Sequence, residues 1–264
     1  MATEQRLRSV EATGIFSGFR NMLRKENGSW MGTSHWLVQS IIWLLFVNGI
    51  VALVLSLSSS NSQPLMGALA ATDLFFMILG SATPFGVIIL MYNAIVGEKK
   101  SGTAEWVLSS PLSRESFLLS KLVANSAWVF AIMVLLQGVV FNLILVAFGL
   151  PTVPVLNMAA GLTINCLHLL FWLTLTLMLG SAFQSGGPVL GIPMAFLLLQ
   201  DLVMQLAARY APWAIKLLPK TLMAQGLQLA QGSGLATVVP ILAVALWSIV
   251  FTAAAVWRFR REEF

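Results

Sequence analysis

The sequence predicts an all-α, polytopic membrane protein: six transmembrane helices, an N-terminal interfacial amphipathic helix and a re-entrant outer segment before the last helix. Three observations lead there. The 264 residues are 58% hydrophobic and only 9% charged, against about 25% charged for soluble domains, too few charges to cover a water-soluble globule. The charges are also bunched, with no Asp, Glu, Lys or Arg in residues 27–72, 74–97, 122–200 or 221–257. The runs between them are continuously apolar. That excludes the alternating ten-residue strands of a membrane barrel and leaves helices, the other way to satisfy every backbone group in lipid. A single cysteine, Cys166, excludes a disulfide scaffold.

A crossing takes about 20 apolar residues, so the third gap holds more than one. Turn-forming stretches at 149–154 and 184–188 divide it into three. The spans are expected near residues 36–57, 74–96, 122–148, 156–183, 189–208 and 238–257, as parts of a single transmembrane domain over residues 1–264. The first 35 residues are polar and basic without an early apolar core, so no cleavable signal peptide is expected.

Within residues 13–27, Ile15, Phe16, Phe19, Met22 and Leu23 recur at helical spacing while Arg20, Arg24 and Lys25 take the remaining surface. This reads as an amphipathic helix in the inner headgroup layer that bends into the first span after Asn27 and Gly28. A simple basic anchor is the plainer reading of the same residues. Orientation follows from Lys and Arg. Twelve of the 15 fall before the first span, in the 97–121 segment or after the last span, and only Arg209, Lys216 and Lys220 fall at the other end. Basic segments stay on the cytoplasmic side, so both termini are expected there. The net charge of +5 reports this topology and anionic lipid, since a basic stripe with interleaved aromatics for nucleic acid is missing.

Residues 97–121 hold Glu98, Lys99, Lys100, Glu105, Arg114, Glu115 and Lys121, so they belong in water or against another protein. Ser101, Gly102 or Thr103 can start a short helix with Glu105 in its first turn, and Ser110 can cap a second with Pro111 at its first position. Residues 209–237 are too apolar for a free loop and too broken by Pro212, Pro219 and Gly226 for a seventh span. Lys216 and Lys220 read as solvated interface lysines, or as partners of lipid phosphates or an anionic substrate. In the fifth span Asp201, Gln205 and Arg209 share a helical face and are expected to form a polar strip with a local ion pair. That strip lines a dimer interface or translocation path, or else satisfies the backbone of the outer segment. His168 reads as a helix-packing histidine, and neither it nor His35 suggests a metal site. Asn48, Asn125, Gln137, Asn142 and Asn165 are candidate interhelical hydrogen-bonding groups.

Glu98, then Gly102-Thr103-Ala104-Glu105, then Leu108-Ser109-Ser110-Pro111-Leu112-Ser113-Arg114, then Phe117 and Lys121, fall between spans two and three of six. This resembles the loop after the second span in ABC type-2 permeases, the membrane subunits of a large class of ATP-binding-cassette transporters, mostly exporters. Trp106 departs from that pattern, which more usually has an aliphatic residue there. The resemblance implies that the segment around 102–108 is a coupling helix seated in a cleft of a separate ATPase subunit, with Glu98, Gly102, Thr103, Glu105, Trp106, Pro111 and Arg114 at the coupling surface. It implies a second permease, identical or related, and a re-entrant fold for residues 209–237 at the outer face. It further implies export of a hydrophobic or amphipathic substrate across the inner (plasma) membrane.

No stretch reads Gly-x-x-x-x-Gly-Lys-Ser/Thr, so no cofactor is expected on this chain, and ATP and Mg belong to the ATPase partner. Two rivals are weaker. An ion-coupled secondary carrier would carry several buried carboxylates, and only Asp201 qualifies. A six-span intramembrane serine protease would need a Gly-x-Ser-Gly signature and a paired histidine base, and the signature is missing.

Overall fold

The computed structural model describes residue 14 and residues 16–60, 67–102 and 112–261. After α1 (Phe19–Met31) come six helices long and apolar enough to cross a bilayer: α2 (His35–Ser58), α3 (Ala68–Lys100), α4 (Arg114–Ala147), α5 (Val155–Ala182), α6 (Gly186–Tyr210) and α8 (Val239–Arg260). The shorter α7 (Thr221–Ala230) precedes the last of these. The chain is an all-α, polytopic membrane protein, and among the described residues no strand forms.

The central helix is α5. In its most apolar window 72% of residues are buried, against 22% for α6 and 28% for α8. A helix that is apolar all round belongs inside a bundle. Asn165, His168, Thr174, Thr176 and Ser181 are buried, as lipid requires, and the exposed Thr163 donates its hydroxyl to the Ala159 carbonyl at 2.8 Å. His168 accepts a hydrogen bond from Trp172 Nε1 at 3.1 Å, one turn along α5, in keeping with a packing role.

Three spans contain a π-turn: Leu44–Asn48 in α2, Asn93–Gly97 in α3 and Phe130–Leu135 in α4. A π-turn takes in one extra residue and disturbs the regular ladder, which in lipid has to be made good locally. Gln137 does so in α4, its Nε2 donating to the Ile132 carbonyl at 2.9 Å. Asn48, the last residue of the α2 π-turn, donates from Nδ2 to Gln137 Oε1 at 2.7 Å and to its carbonyl at 3.2 Å. Asn48 thus ties the two interrupted helices together and fixes α2 against α4. Asn142 instead receives the Val153 amide at 3.0 Å, and Asn165 Nδ2 finds no hydrogen-bond partner among the described residues.

At the end of the bundle away from the termini, a 3₁₀ turn (Pro212–Leu217) leads to α7, which lies against α5 and α3. The approach is a backbone contact. A Cβ built on Gly161 of α5 would stand 2.5 Å from the Gly226 carbonyl oxygen of α7 and 2.8 Å from the Phe76 ring, and a Cβ on Gly226 would stand 3.1 Å from the Gly161 carbonyl oxygen. Gln225 Nε2 donates to the Thr237 carbonyl at 2.7 Å, tying the end of this segment back to α7.

Among the boundaries that depart from the sequence expectation, two have a cause in named contacts. The helix before the first span continues through Gly28 to Met31 because Trp30 is buried and its indole N–H reaches Asn125 Oδ1 at 3.3 Å. The third span begins at Arg114, with Ser113 as its N-cap, its Oγ accepting from the Ser116 amide at 3.1 Å. Ser110 and Pro111, expected to start that helix, lie outside the described residues.

Gly161→Ala is expected to force α7 off α5 and destabilise the protein by about 1–3 kcal/mol, read as a lowered melting temperature in detergent. Gly191→Ala, at a position in α6 with nothing within 4 Å of a built Cβ, should leave it unchanged.

Candidate coupling platform at the basic end

The end of the bundle that holds α1 and the last turn of α8 is organised around Lys121. Its side chain is 1% exposed, yet it lies in the first turns of a span, after a run of charged residues. An ammonium taken out of water must be paired. Nζ sits 2.9 Å from Glu26 Oε1 of α1 and 2.9 Å from Glu98 Oε2 of α3, and 5.0 Å from the centre of the Phe117 ring. Glu98 is shared, its Oε1 receiving Lys25 Nζ at 3.1 Å. Two bases and two acids alternate, so the cluster is neutral while joining α1, α3 and α4. Burial grades across it, from Glu26 with a 9% exposed side chain through Glu98 at 21% to Lys25 at 45%.

Aromatic and amide contacts extend the α1–α4 seam. Trp30 and Trp128 stack at 5.7 Å, Trp128 Nε1 donates to Asn27 Oδ1 at 3.1 Å, and Asn125 Nδ2 donates to the Lys121 carbonyl at 2.8 Å. The inward stripe of α1 is therefore Met22, Glu26 and Trp30. The sequence pattern took its apolar face from Ile15, Phe16, Phe19, Met22 and Leu23 and did not give a carboxylate an inward position.

A second set of contacts brings in the end of α8. Arg114 Nη1 donates to the Arg260 carbonyl at 3.0 Å and the Phe259 carbonyl at 3.4 Å, a cation on the negative end of a helix dipole. Glu115 pairs with Arg260, and Phe117 stacks on Phe259 at 5.5 Å.

Of the residues expected at the coupling surface, the structure brings Glu98 and Arg114 into this platform. Gly102 ends α3 with φ +70°, a left-handed conformation that glycine adopts without strain. Thr103, Glu105, Trp106 and Pro111 lie outside the described residues. Lys25, Glu26 and Lys121 complete the cluster. The sequence contains all three, but nothing in helical spacing connects positions about ninety residues apart.

The strip in the fifth span is differently arranged. Asp201, Gln205 and Arg209 are exposed on α6, but Asp201 pairs with Lys220 from the segment before α7, not with Arg209. Arg209 lies over the Tyr210 ring at 5.4 Å. This corrects both the expected local pair and the reading of Lys220 as a solvated lysine. The physical reason is chain reversal: the 3₁₀ turn brings Lys220 back to α6. The inward-facing amide of this helix is Gln200, which is buried.

Residues 33–264 match the model of a family described as "Protein of unknown function (DUF2705)", and the chain belongs to that family. It is also similar to two curated proteins, each called "Probable ABC transporter permease protein NosY". One, from Pseudomonas aeruginosa, is 29% identical over 202 residues, 66% of this chain and 70% of the relative. The other, from Stutzerimonas stutzeri, is 26% identical over 200 residues, 70% of this chain and 68% of the relative.

Lys121→Met should cost about 3–5 kcal/mol by leaving Glu26 buried and unpaired. Adding Glu26→Gln should recover a large part of that loss. Thermal unfolding of the single and double variants in detergent measures both, and equal melting temperatures for all three proteins would show that the cluster contributes nothing.

Proposed function

We propose that this member of the family is the permease subunit of an ATP-binding-cassette transporter of the type-2 class, exporting a hydrophobic or amphipathic solute with energy supplied by a separate ATPase subunit. The observation that carries the reading is the similarity, over about two thirds of the chain, to the two proteins named as ABC transporter permeases. The six spans and the charged platform support it, because a permease of this kind has to take up force at one end and convert it into movement of the spans.

In this reading the ATPase, with its own ATP and Mg, docks on the segment around residues 102–108. Its force enters through two stems, the ends of α3 and α4, which run on as helix into the second and third spans, in α3 by way of the π-turn at Asn93–Gly97. The Glu98–Lys121 contact clamps the stems at their base, and Glu26 makes α1 move with them. Arg114 and Glu115 carry the displacement to α8. A push on the loop then reaches three spans and α1 together, and the bundle tilts between inward-open and outward-open or closed states.

A second permease, identical or related, faces the exposed strip of Asp201, Gln205 and Arg209 and completes the path. The concentration of basic residues at the end that holds α1 and the last turn of α8 supports placing that end in the cytoplasm, with the chain in the inner (plasma) membrane.

Glu105→Lys is expected to weaken association with the ATPase by roughly 2 kcal/mol or more, over tenfold, by reversing a charge at the docking surface. Co-purification from membranes measures it, with accumulation of the variant in the membrane as control. Undiminished co-purification would overturn the docking assignment.

A further inference from the structure

A cleft of about 710 Å³ runs between α4, α5 and α8 on the membrane-facing side of the bundle, and the reading of the chain as a permease gives it no role. Along the spans its three hydroxyl groups have no donor left for a ligand. Thr174 Oγ1 donates to the Leu170 and Phe171 carbonyls, Ser248 Oγ to the Val244 carbonyl and Thr252 Oγ1 to the Ser248 carbonyl, each within its own helix. What they present to the cleft is hydrocarbon.

At the basic end the chemistry changes. Trp257 and Arg260 form the mouth. The Arg260 side chain is half exposed, with Nε turned to Glu115, and the Arg261 guanidinium lies over the Trp257 ring at 4.2 Å. Cationic groups beside an interfacial tryptophan suit an anionic headgroup. The length fits as well. From Ala245 to Arg260 the helix rises about 22 Å, close to the depth of one leaflet, about 15 Å of hydrocarbon plus a headgroup layer.

We propose that this cleft is a resident phospholipid site: one acyl chain lies along α8 from the bilayer midplane toward Trp257, and an anionic phosphate headgroup rests on Arg260 and Arg261. An acyl chain gains nothing from leaving other lipid tails for an apolar cleft. Selection therefore comes from the two arginines, and the site prefers phosphatidylglycerol to phosphatidylcholine. The inference goes beyond the transport reading and does not rest on it.

The experiment purifies the full chain from membranes into detergent and counts retained phospholipid by native mass spectrometry. About one anionic phospholipid per chain is expected. Ala253→Trp, which fills the cleft, should lower retention at least fivefold, and Arg261→Gln should lower it at least twofold and weaken the preference for phosphatidylglycerol in exchange. Retention unchanged by Ala253→Trp, or no headgroup preference in the unmodified chain, overturns the proposal. A test independent of variants uses phosphatidylglycerol with a photoactivatable acyl chain in nanodiscs holding the unmodified protein. Adducts on residues 245–257 support the site, and adducts spread evenly over all spans overturn it. If Ile249→Cys instead yields a disulfide-linked dimer in membranes, the cleft is covered by a second copy of the chain and the lipid assignment falls.

Discussion

An ammonium group almost out of reach of water, near the mouth of a membrane bundle, sets the terms for the end of the molecule that holds α1 and the last turn of α8. Lys121 is tolerated only because Glu26 and Glu98 reach it from two other segments, and the buried Glu26 needs Lys121 in return. Buried ion pairs of this kind add little net stability compared with apolar packing of the same shape, but losing one member is costly. Their effect is to specify geometry. The helix before the first span, the end of the second span and the start of the third have to arrive together, or a charge is left in a medium that will not hold it. The Arg114 and Glu115 contacts then fasten the last span to the same unit.

Much of the fold was legible in the charge distribution, because lipid punishes charges so heavily that their absence marks a span. All six spans fall where the charge-free runs and the turn residues at 149–154 and 184–188 put them. The ends were less legible. The second and third spans continue past the apolar stretch to Lys100 and back to Arg114, since helical residues outside the hydrocarbon carry charge freely. Pro212, Pro219 and Gly226 told of a broken segment. That Gly226 meets Gly161 backbone to backbone is a long-range fact with no local trace.

The site was legible as a list of residues and not as an arrangement. Helical spacing relates Asp201 to Gln205 and Arg209, and so it missed Lys220, nineteen positions on and returned by a turn. It likewise gave Glu26 no place on either face of the amphipathic helix, whereas the structure turns that carboxylate inward onto Lys121. In both cases the partner of a charge lies on another element, and periodicity along one helix carries no information about it.

The central claim is that α1 and the ends of α3 and α4 move as one body when the ATPase works. Spin labels at Arg20 on α1 and Lys100 at the end of α3, both exposed positions, report on it most directly, with the chain and its ATPase reconstituted in nanodiscs. The account predicts that the distance between these labels stays narrow and unchanged between the nucleotide-free and ATP-bound states, while the distance from Lys100 to a label at Trp213 shifts. A Lys100–Arg20 distance that broadens or changes with nucleotide would contradict it.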